Sequence, residues 1–400
     1  MSREGLVYLA LMLFIFAGGL IRAINLPMVL SGLMLGPLLF NWRAVKTMLR
    51  GLTLRRRLPE GIAAGDELTV GLEVTNGRRR GASWGLVIED AVVLEAPAGS
   101  PTAGDGRGTI GLPTTAQTMV TRVAAGETRR AAYRGRLPRR GKYRFGPLRV
   151  TTRFPMGLAR RTLRVELPAT LVVFPRLGRL TAEWARHAQQ AADGSRAVER
   201  PQGMREGDYH GLRDFRGGDS RRWIHWRTSA RRGELMVKQF EQQRNQDLLL
   251  VVELWQPEAS SEDDLARVET AVSLAATLAA ERCREKAGFV QLTLAAREQS
   301  QIGGPASAAL MREGLERLAL CDATSRDALP AALDAALMQS RPEARLVLVS
   351  TRPVDLSDAG RFAAVYRDSR KRGWLGRTLV LDVSSPKLGE WFAEEDAGGG

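Results

Sequence analysis

The first 45 residues contain two apolar runs with a short polar break between them. The run from Leu6 to Ile21 carries no charge, and a second run extends from Leu26 to Phe40. About 20 apolar residues span a bilayer as a helix, and roughly 17 is the lower limit. Because Asn25 and Pro27 favour a tight turn between the runs, residues 1–45 are predicted to form a transmembrane helical hairpin.

A cleaved signal peptide, cut near Gly18, is the alternative interpretation of the first run. A signal peptide is normally followed by polar mature sequence, whereas a second apolar run follows here. Basic residues then come at Arg43, Lys46, Arg50 and positions 55–57. Under the positive-inside rule, this charge predicts a two-pass protein of the inner membrane with its soluble domains in the cytoplasm.

Residues 54–175 consist of short β-branched runs separated by turn residues. Glu67–Thr75 alternates apolar and polar positions, and Asn76–Gly77 follows as a turn signal. About six or seven strands at this spacing are typical of an antiparallel β-sandwich-like domain. The Gly- and Pro-rich residues 96–112 are expected to form a long loop or a disordered insertion. We found no catalytic cluster in this part of the sequence, so we interpret it as a spacer or docking module.

Residues 247–392 alternate between strand-like and helix-like segments. Asp247–Leu254 is a continuous apolar run, as expected of a strand buried on both faces, and Glu262–Lys286 has helical spacing. The alternation predicts an α/β domain with an open, mostly parallel sheet, whose ligand site would lie at the carboxyl ends of the strands. Further predicted strands are Phe289–Ala295, Arg345–Ser350 and Thr378–Val383, and further predicted helices are Ala306–Leu320, Arg326–Met338 and Asp358–Lys371. Residues 393–400 are expected to be a disordered tail.

The net charge of the chain is +15, and it comes mainly from arginine. Such a balance favours acidic neighbours, which could be lipid headgroups, nucleic acid or an acidic protein surface. Arginine-rich usage in a high-GC genome explains the same charge. The two cysteines, Cys283 and Cys321, are too few for a disulfide framework, and their helix-like apolar contexts predict buried, unreactive thiols.

The stretch from Gly203 to Phe240 has the chain's highest density of Arg, Asp, Gly and Trp, and it lies in a predicted linker or clasp of residues 176–246. A phosphate cradle is one interpretation, but residues 217–220 lack the lysine of a P-loop. Nucleic-acid binding is another, with arginines on phosphates and tryptophans on bases, although the interleaved carboxylates oppose it. A metal site is the third, and its spacing matches no common ligand pattern. Its candidate ligands are Asp208, His210, Asp219 and His225.

The fourth interpretation treats this stretch as a structural and docking element. In it, Trp223, Ile224 and Trp226 are buried, because two tryptophans three positions apart can share one helix face. Arg–Asp pairs would hold the surrounding loop in one conformation. We favour this interpretation over the other three.

Two segments of the stretch carry a family resemblance. Residues 211–219 (GLRDFRGGD) and 222–231 (RWIHWRTSAR) resemble the bacterial domain of unknown function 58 family, in which G-L-R-x-(Y/F)-x-x-G-D runs into R-x-I-(D/H)-W-(K/R)-x-(S/T)-A-R. Residues 140–143, 154–158 and 174–175 also follow that family's pattern in order.

The resemblance implies a membrane-tethered protein with a von Willebrand A-like C-terminal half, often encoded beside MoxR-type AAA ATPases. The family has no established catalytic activity, so it supplies no catalytic residues. The motif residues that we consider candidates for docking a partner are Gly211, Leu212, Arg213, Phe215, Gly218, Asp219, Arg222, Ile224, His225, Trp226, Arg227, Ala230 and Arg231.

Von Willebrand A domains that bind metal carry Asp-x-Ser-x-Ser after the first strand, and usually an Asp after a later strand. Here the first position retains an acid, Glu253, but Trp255 and Pro257 replace the two hydroxyl residues. The later position reads Ser350-Thr351-Arg352. A divalent cation needs several hard oxygen ligands, and an arginine would repel it. Residues Glu253, Trp255, Ser350 and Thr351 are therefore predicted to be positions of a degenerate metal loop, and no metal or other cofactor is expected.

Together these features predict a non-enzymatic, membrane-anchored adaptor or scaffold. Its expected partners are the lipid bilayer and a MoxR-type AAA ATPase, with which it would act in protein assembly or maturation. Nucleic acid is not expected as a partner. The alternative is a metal-dependent hydrolase or a nucleic-acid-binding protein that uses residues 203–240.

Overall fold

The computed structural model describes residues 2–95, 116–188, 209–216, 221–240, 247–286, 288–341 and 344–394, with only the backbone of residues 209–211, 222 and 238–240. The chain divides into two compact units. The first contains Met1–Leu177, and the second contains Gly178–Gly314 and Cys321–Glu394. The predicted loop at residues 96–112 lies outside the described residues.

Two helices, α1 (Arg3–Ile21) and α2 (Asn25–Met48), begin the first unit. With 19 and 24 residues, both are long and apolar enough to cross a membrane. They pack against each other, and the Tyr8 hydroxyl donates a hydrogen bond to the carbonyl of Met34 at 3.0 Å. Pro37 lies inside α2 without ending it, so the second helix extends beyond the predicted limit at residue 45.

The described residues between 52 and 174 form nine strands in two sheets. One sheet is antiparallel in the order β1-β3-β6, and the other has the order β2-β9-β7-β4-β5, with β8 paired to β7. Because β2 runs parallel to β9, the second sheet is mixed and not purely antiparallel as predicted. The strands are β1 (Leu52–Arg57), β2 (Ile62–Ala63), β3 (Glu67–Asn76), β4 (Ser83–Leu94), β5 (Gln117–Val123), β6 (Thr128–Arg136), β7 (Gly141–Thr152), β8 (Arg161–Val165) and β9 (Ala169–Phe174).

One hydrophobic core contains buried side chains from both sheets. Leu54 and Val70 come from the first sheet, and Ile88 and Phe145 come from the second. Burial alternates along β3, so its apolar positions reach the core while its charged positions stay at the surface. This is the period-2 pattern that identified the strand in the sequence.

Arg56 is a buried charge of the first unit. Its guanidinium donates two hydrogen bonds to the Asp90 carboxylate at 2.6 and 2.9 Å. The Tyr133 hydroxyl donates a third at 2.6 Å, and burial raises the pKa of Tyr133 so that this proton stays in place. Residues 55–57 were counted in the sequence among the basic residues that follow the membrane span. They lie in β1, and the Arg56 side chain is only 2% exposed.

The second unit contains a five-stranded sheet in the order β15-β14-β13-β16-β17. Strands β13, β14, β16 and β17 are parallel, and β15 is antiparallel to β14. This confirms the predicted mostly parallel sheet. Its strands are β13 (Leu248–Glu253), β14 (Phe289–Ala295), β15 (Ser300–Pro305), β16 (Arg345–Ser350) and β17 (Leu379–Asp382).

Helices lie between these strands, and one helix follows β17. They are α4 (Glu262–Glu285), α5 (Ala308–Leu320), α6 (Leu329–Met338), α7 (Ala363–Arg367), α8 (Ser369–Leu375) and α9 (Leu388–Trp391). Ser261 and Asp264 form a capping box at the start of α4. The single helix predicted from residue 358 to 371 is two short helices, α7 and α8. Cys283 is buried in α4, and its burial raises the pKa of the thiol, while Cys321 is half-buried.

A small two-stranded sheet pairs β10 (Arg179–Leu180) with β18 (Phe392–Ala393). Ala393, which was predicted to belong to the disordered tail, lies in a strand instead. Residues 395–400 lie outside the described residues.

Candidate functional site

The carboxyl edge of the parallel sheet holds a buried carboxylate, Glu253. It is the last residue of β13, whose every residue is buried, and it lies opposite Ala295 and Ser350 in the neighbouring strands. An ionised side chain at such a position needs partners, because burial removes its water. Ligands of open α/β sheets bind at this edge, so the partners of Glu253 determine what the edge can do.

Both oxygens of Glu253 are occupied by protein groups. The Ser350 hydroxyl donates to Oε2 at 2.5 Å. Arg352 donates to Oε1 from Nε at 3.1 Å and from Nη2 at 2.6 Å, and Arg361 donates to the same oxygen at 3.3 Å. The Glu253 side chain is only 2% exposed. A guanidinium therefore lies against the carboxylate where a divalent cation would have to bind.

A second carboxylate, Asp327, completes the cluster. Arg361 donates to both of its oxygens at 2.8 Å, and Arg352 donates to Oδ1 at 2.7 Å. The hydrogen bond from Arg361 lowers the pKa of Asp327 and raises the pKa of Arg361. With two carboxylates and two guanidiniums in contact, the charges of the cluster balance.

Trp255 forms the outer wall of the cluster. The guanidinium carbon of Arg352 lies 4.7 Å from the centre of the Trp255 ring, a cation–π contact. Thr351 Oγ1 accepts a hydrogen bond from the Trp255 N–H at 3.0 Å and donates one to the Trp255 carbonyl at 2.6 Å. The indole N–H donates to the Ser325 carbonyl at 3.1 Å. These bonds fix the loop that follows β13.

The four positions predicted for a degenerate metal loop thus come together in space, and two arginines bridge one of them, Glu253, to Asp327. Sequence reasoning missed Asp327 and Arg361, which lie in polar loops far from Glu253 in the chain and show no local motif. Among the described residues, no three His, Cys, Asp or Glu side chains are grouped so that they could hold a metal ion. A cavity of about 80 Å³ beside Trp255 and Arg352 is far smaller than the roughly 300 Å³ of a small-molecule site.

The described part of the stretch from Gly203 to Phe240 forms a separate small structure. Strand β11 (Tyr209–Asp214) pairs antiparallel with β12 (Met236–Phe240). A 3₁₀ turn (Arg221–Trp223) and helix α3 (Trp226–Arg232) lie between them in the chain. Trp223, Ile224 and Val237 form a small buried cluster against which Phe215 packs.

His225 and Ser229 hold α3 to β12. The Nδ1 atom of His225 accepts a hydrogen bond from the Thr228 N–H at 3.3 Å and so caps the helix. The His225 N–H donates to the Met236 carbonyl at 2.8 Å, and the Met236 N–H donates to the Ser229 hydroxyl at 2.8 Å. His225 therefore has a structural role here, which disfavours its interpretation as a metal ligand.

The predicted burial of Trp226 is wrong, because 66% of this residue is exposed. Trp223 lies in the 3₁₀ turn and α3 begins only at Trp226, so the spacing of one continuous helix does not relate the two tryptophans. Arg227, Ala230 and Arg231 are also exposed. Trp226 and Ala230 are four positions apart, as are Arg227 and Arg231, so the four residues occupy one side of α3.

The other motif residues are only partly described. Leu212 and Arg213 are half-buried in β11, and Arg213 donates a hydrogen bond to the Asp214 carbonyl at 3.1 Å. Gly211 pairs with Gln239 across the two strands. Gly218, Asp219, Asp208 and the side chains of His210 and Arg222 lie outside the described residues, as do the Arg–Asp pairs predicted with Asp208 and Asp219.

Comparison with known proteins finds a family for part of the chain. Residues 211–364 match the family described as "Protein of unknown function DUF58". The chain is also 32% identical over 128 residues to "Uncharacterized protein YeaD" of Bacillus subtilis (strain 168). That similarity covers 32% of this chain and 31% of the relative, so the chain spans about a third of that relative's length.

Similarities to solved structures are weak. The CARDB domain of the PF1109 protein from Pyrococcus furiosus, solved in complex with di-metal ions, is 12% identical, covers 30% of this chain and 87% of its own, and gives a TM-score of 0.18. A beta-glucosidase from Listeria innocua in complex with isofagomine is 18% identical over 29% of this chain and 16% of its own, with a TM-score of 0.17. At these TM-scores neither similarity carries an argument about this chain.

Proposed function

We propose that this chain, which carries a DUF58 match over residues 211–364, is a membrane-anchored adaptor without catalytic activity. It acts by binding a protein partner through the exposed side of α3. The observation that carries the proposal is the division of the motif between buried and exposed residues. Two motif residues, Trp223 and Ile224, are buried in a small hydrophobic cluster, and His225 and Ser229 form hydrogen bonds that hold α3 in place. By contrast, Trp226 and its neighbours on α3 are exposed at the surface.

The chemistry of the exposed side indicates the kind of partner. We define the docking face as Trp226, Arg227, Ala230 and Arg231. A large exposed aromatic beside arginines is the composition of an interface hot spot. The two guanidiniums favour a partner with an acidic surface. We propose that this partner is a MoxR-type AAA ATPase, with which the adaptor acts in protein assembly or maturation.

The second unit supports a role in binding that does not use a cation. We propose that it is a von Willebrand A-like domain in which the network of Glu253, Arg352, Arg361 and Asp327 replaces the metal. The carboxylate that a cation would need already accepts three hydrogen bonds from guanidiniums. The domain would therefore bind its partner through protein surfaces alone.

The N-terminal hairpin supports the membrane anchor. Helices α1 and α2 carry large apolar side chains that are exposed along both of them, as is normal for side chains in contact with lipid. We propose a two-pass protein of the inner membrane, with the β-sheets of the first unit and the whole second unit in the cytoplasm. Arg43, Lys46 and Arg50 follow the apolar part of α2 and favour this orientation.

Co-purification from membranes tests the proposed partnership. Full-length protein with a C-terminal tag is expected to retain the MoxR-type ATPase of the same organism when ATP is present. Replacing Trp226 by alanine should weaken the interaction by about 2 kcal/mol, or roughly 30-fold in Kd, as expected for a central aromatic hot spot. Binding is then measured with the purified pair.

A double variant, Arg367→Ala with Arg370→Ala, is the matched control for Arg227→Ala with Arg231→Ala. Each double variant removes two exposed arginines from the second unit. Only Arg227 and Arg231 belong to the docking face. The control should bind the ATPase as the natural protein does, and the docking-face variant should not. Equal binding by the two double variants, or no ATPase retained by the natural protein, would refute the proposal.

A further inference from the structure

The loop after β7 is bound to both helices of the hairpin. The Ser2 N–H donates to the Leu158 carbonyl at 3.3 Å, and the Ser2 hydroxyl donates to the Gly157 carbonyl at 2.5 Å. From the other helix, Asn41 Oδ1 accepts a hydrogen bond from the Ala159 N–H at 2.6 Å. Ser2 and Asn41 are buried in these contacts. The loop is therefore held beside the start of α1 and the same level of α2.

This contact is close because residue 5 is a glycine. A Cβ atom at Gly5 would collide with the carbonyl oxygen of Leu158, so only glycine lets the loop backbone lie directly on α1. The uncharged run of α1 begins at the next residue, Leu6. In a hairpin that spans a bilayer, the loop consequently lies at the boundary between hydrocarbon and headgroups.

A second set of bonds fixes the start of β4 to the end of α2. Arg78 donates to the Thr47 carbonyl at 3.0 Å, and the Ser83 hydroxyl donates to the Met48 carbonyl at 2.7 Å. Arg78 also donates to the Ser83 hydroxyl at 2.7 Å. These groups cap the last carbonyls of α2, where a positive charge is favourable. Two separate attachments thus fix the β-sheets relative to the hairpin.

Beside these attachments in the chain are four exposed apolar side chains, which we call the apolar patch: Trp42, Trp84, Phe154 and Met156. They are 58%, 36%, 39% and 50% exposed, respectively. The rings of Trp84 and Phe154 are stacked with their centres 5.6 Å apart, and the guanidinium carbon of Arg122 lies 5.1 Å from the centre of the Trp84 ring. The patch therefore combines aromatic rings with a positive charge.

We infer that this apolar patch inserts into the headgroup layer of the bilayer, with anionic lipid headgroups around Arg122. The inference rests on the proposed membrane anchor and adds that the β-sheet unit itself binds lipid. Tryptophan is enriched in this layer because its ring is apolar and its N–H is polar. Arginine near an anionic membrane surface adds attraction.

Continuity with the hairpin favours the bilayer over a protein as the occupant. Trp42 follows Asn41, which binds the loop, and it precedes the basic residues at the end of α2. Phe154 and Met156 belong to the loop that lies on the first turn of α1. When the hairpin spans a bilayer, a protein partner could reach Phe154 and Met156 only by entering the headgroup layer.

Spin labels at single cysteines test the inference with the full-length chain in vesicles that contain phosphatidylglycerol and phosphatidylcholine. Cys283 and Cys321 are first replaced by alanine. Labels are then placed by Met156→Cys, by Leu13→Cys in α1 and by Met338→Cys in the second unit, since all three side chains are exposed. Collision rates with oxygen, which partitions into lipid, and with a water-soluble nickel chelate report the depth of each label.

The label at position 156 is expected to collide with nickel several-fold less often than the label at position 338, and the label at position 13 should lie deep in hydrocarbon. If position 156 is as accessible to nickel as position 338 while position 13 is deep, the patch does not bind lipid and is open to a protein partner. If position 13 is also accessible, the membrane anchor itself is refuted. The two failures are therefore distinct.

Discussion

Replacing Arg56 by methionine should destabilise the first unit by about 3–5 kcal/mol, because it leaves the Asp90 carboxylate buried without its charged partner. The neighbouring arginine provides a matched control. The Arg57 side chain is 66% exposed and pairs with Glu73 at 2.8 Å. Exposed ion pairs contribute little, so Arg57→Met should cost about 1 kcal/mol or less.

The contacts of Arg56 explain the size of the effect. Besides two hydrogen bonds to Asp90, it donates one to the Leu167 carbonyl at 2.5 Å, and its guanidinium carbon lies 5.5 Å from the centre of the Phe145 ring. Neither side chain of the Arg56–Asp90 pair is more than 2% exposed. Tyr133 still donates to Asp90 after the substitution, which keeps the loss within the stated range.

The double variant Arg56→Met with Asp90→Leu separates the loss of a pair from the burial of an unpaired charge. It should be more stable than Arg56→Met alone, because apolar side chains of similar volume can replace a buried ion pair at little cost. Pulse proteolysis of the detergent-solubilised chain in urea measures this, since the peptides identify which unit has unfolded. A loss below about 1 kcal/mol for Arg56→Met, or no recovery in the double variant, would refute the reasoning.

Two further predictions concern the second unit. His225→Ala should lower the free energy of unfolding by about 1 kcal/mol in the same assay, because α3 loses its cap, and an unchanged value would mean that the ring does not cap the helix in solution. Asp327 has a pKa lowered by the hydrogen bond from Arg361, so its contribution to stability is present above the ordinary Asp pKa of about 3.9 and is lost as the pH falls through its lower folded value. Asp327→Asn should therefore flatten the fall in unfolding temperature on acidification below about pH 4, and identical acid profiles for the two proteins would contradict this.

Elements with one strong periodic signal could be predicted from the sequence. The apolar run at residues 247–254 is β13, and the spacing at residues 262–286 is α4, because a buried strand and an amphipathic helix each leave a local pattern. Strand β1 was missed, since three consecutive arginines hide its alternation. The Arg56 side chain in this strand can be buried because it pairs with Asp90, and no local pattern in the sequence reveals that pairing.

The candidate site was only partly predictable for the same reason. Glu253, Ser350 and Arg352 follow predicted strands, and the carboxyl ends of adjacent parallel strands meet at one edge. Asp327 and Arg361 were placed inside predicted helices, but the helices begin only at Leu329 and Ala363, so both residues reach that edge from loops. Trp226 was assigned to the wrong environment because the spacing rule assumes an unbroken helix, whereas a 3₁₀ turn and the His225 cap come before α3.

The guanidiniums at the edge of the parallel sheet have a consequence for regulation. A bound cation dissociates when its concentration falls, so a metal-dependent surface can be switched off by depletion of the ion. An arginine is covalently part of the chain and keeps its charge at physiological pH, and the hydrogen bond with Asp327 raises the pKa of Arg361 further. The edge therefore stays in one charge state whatever the surrounding level of calcium or magnesium.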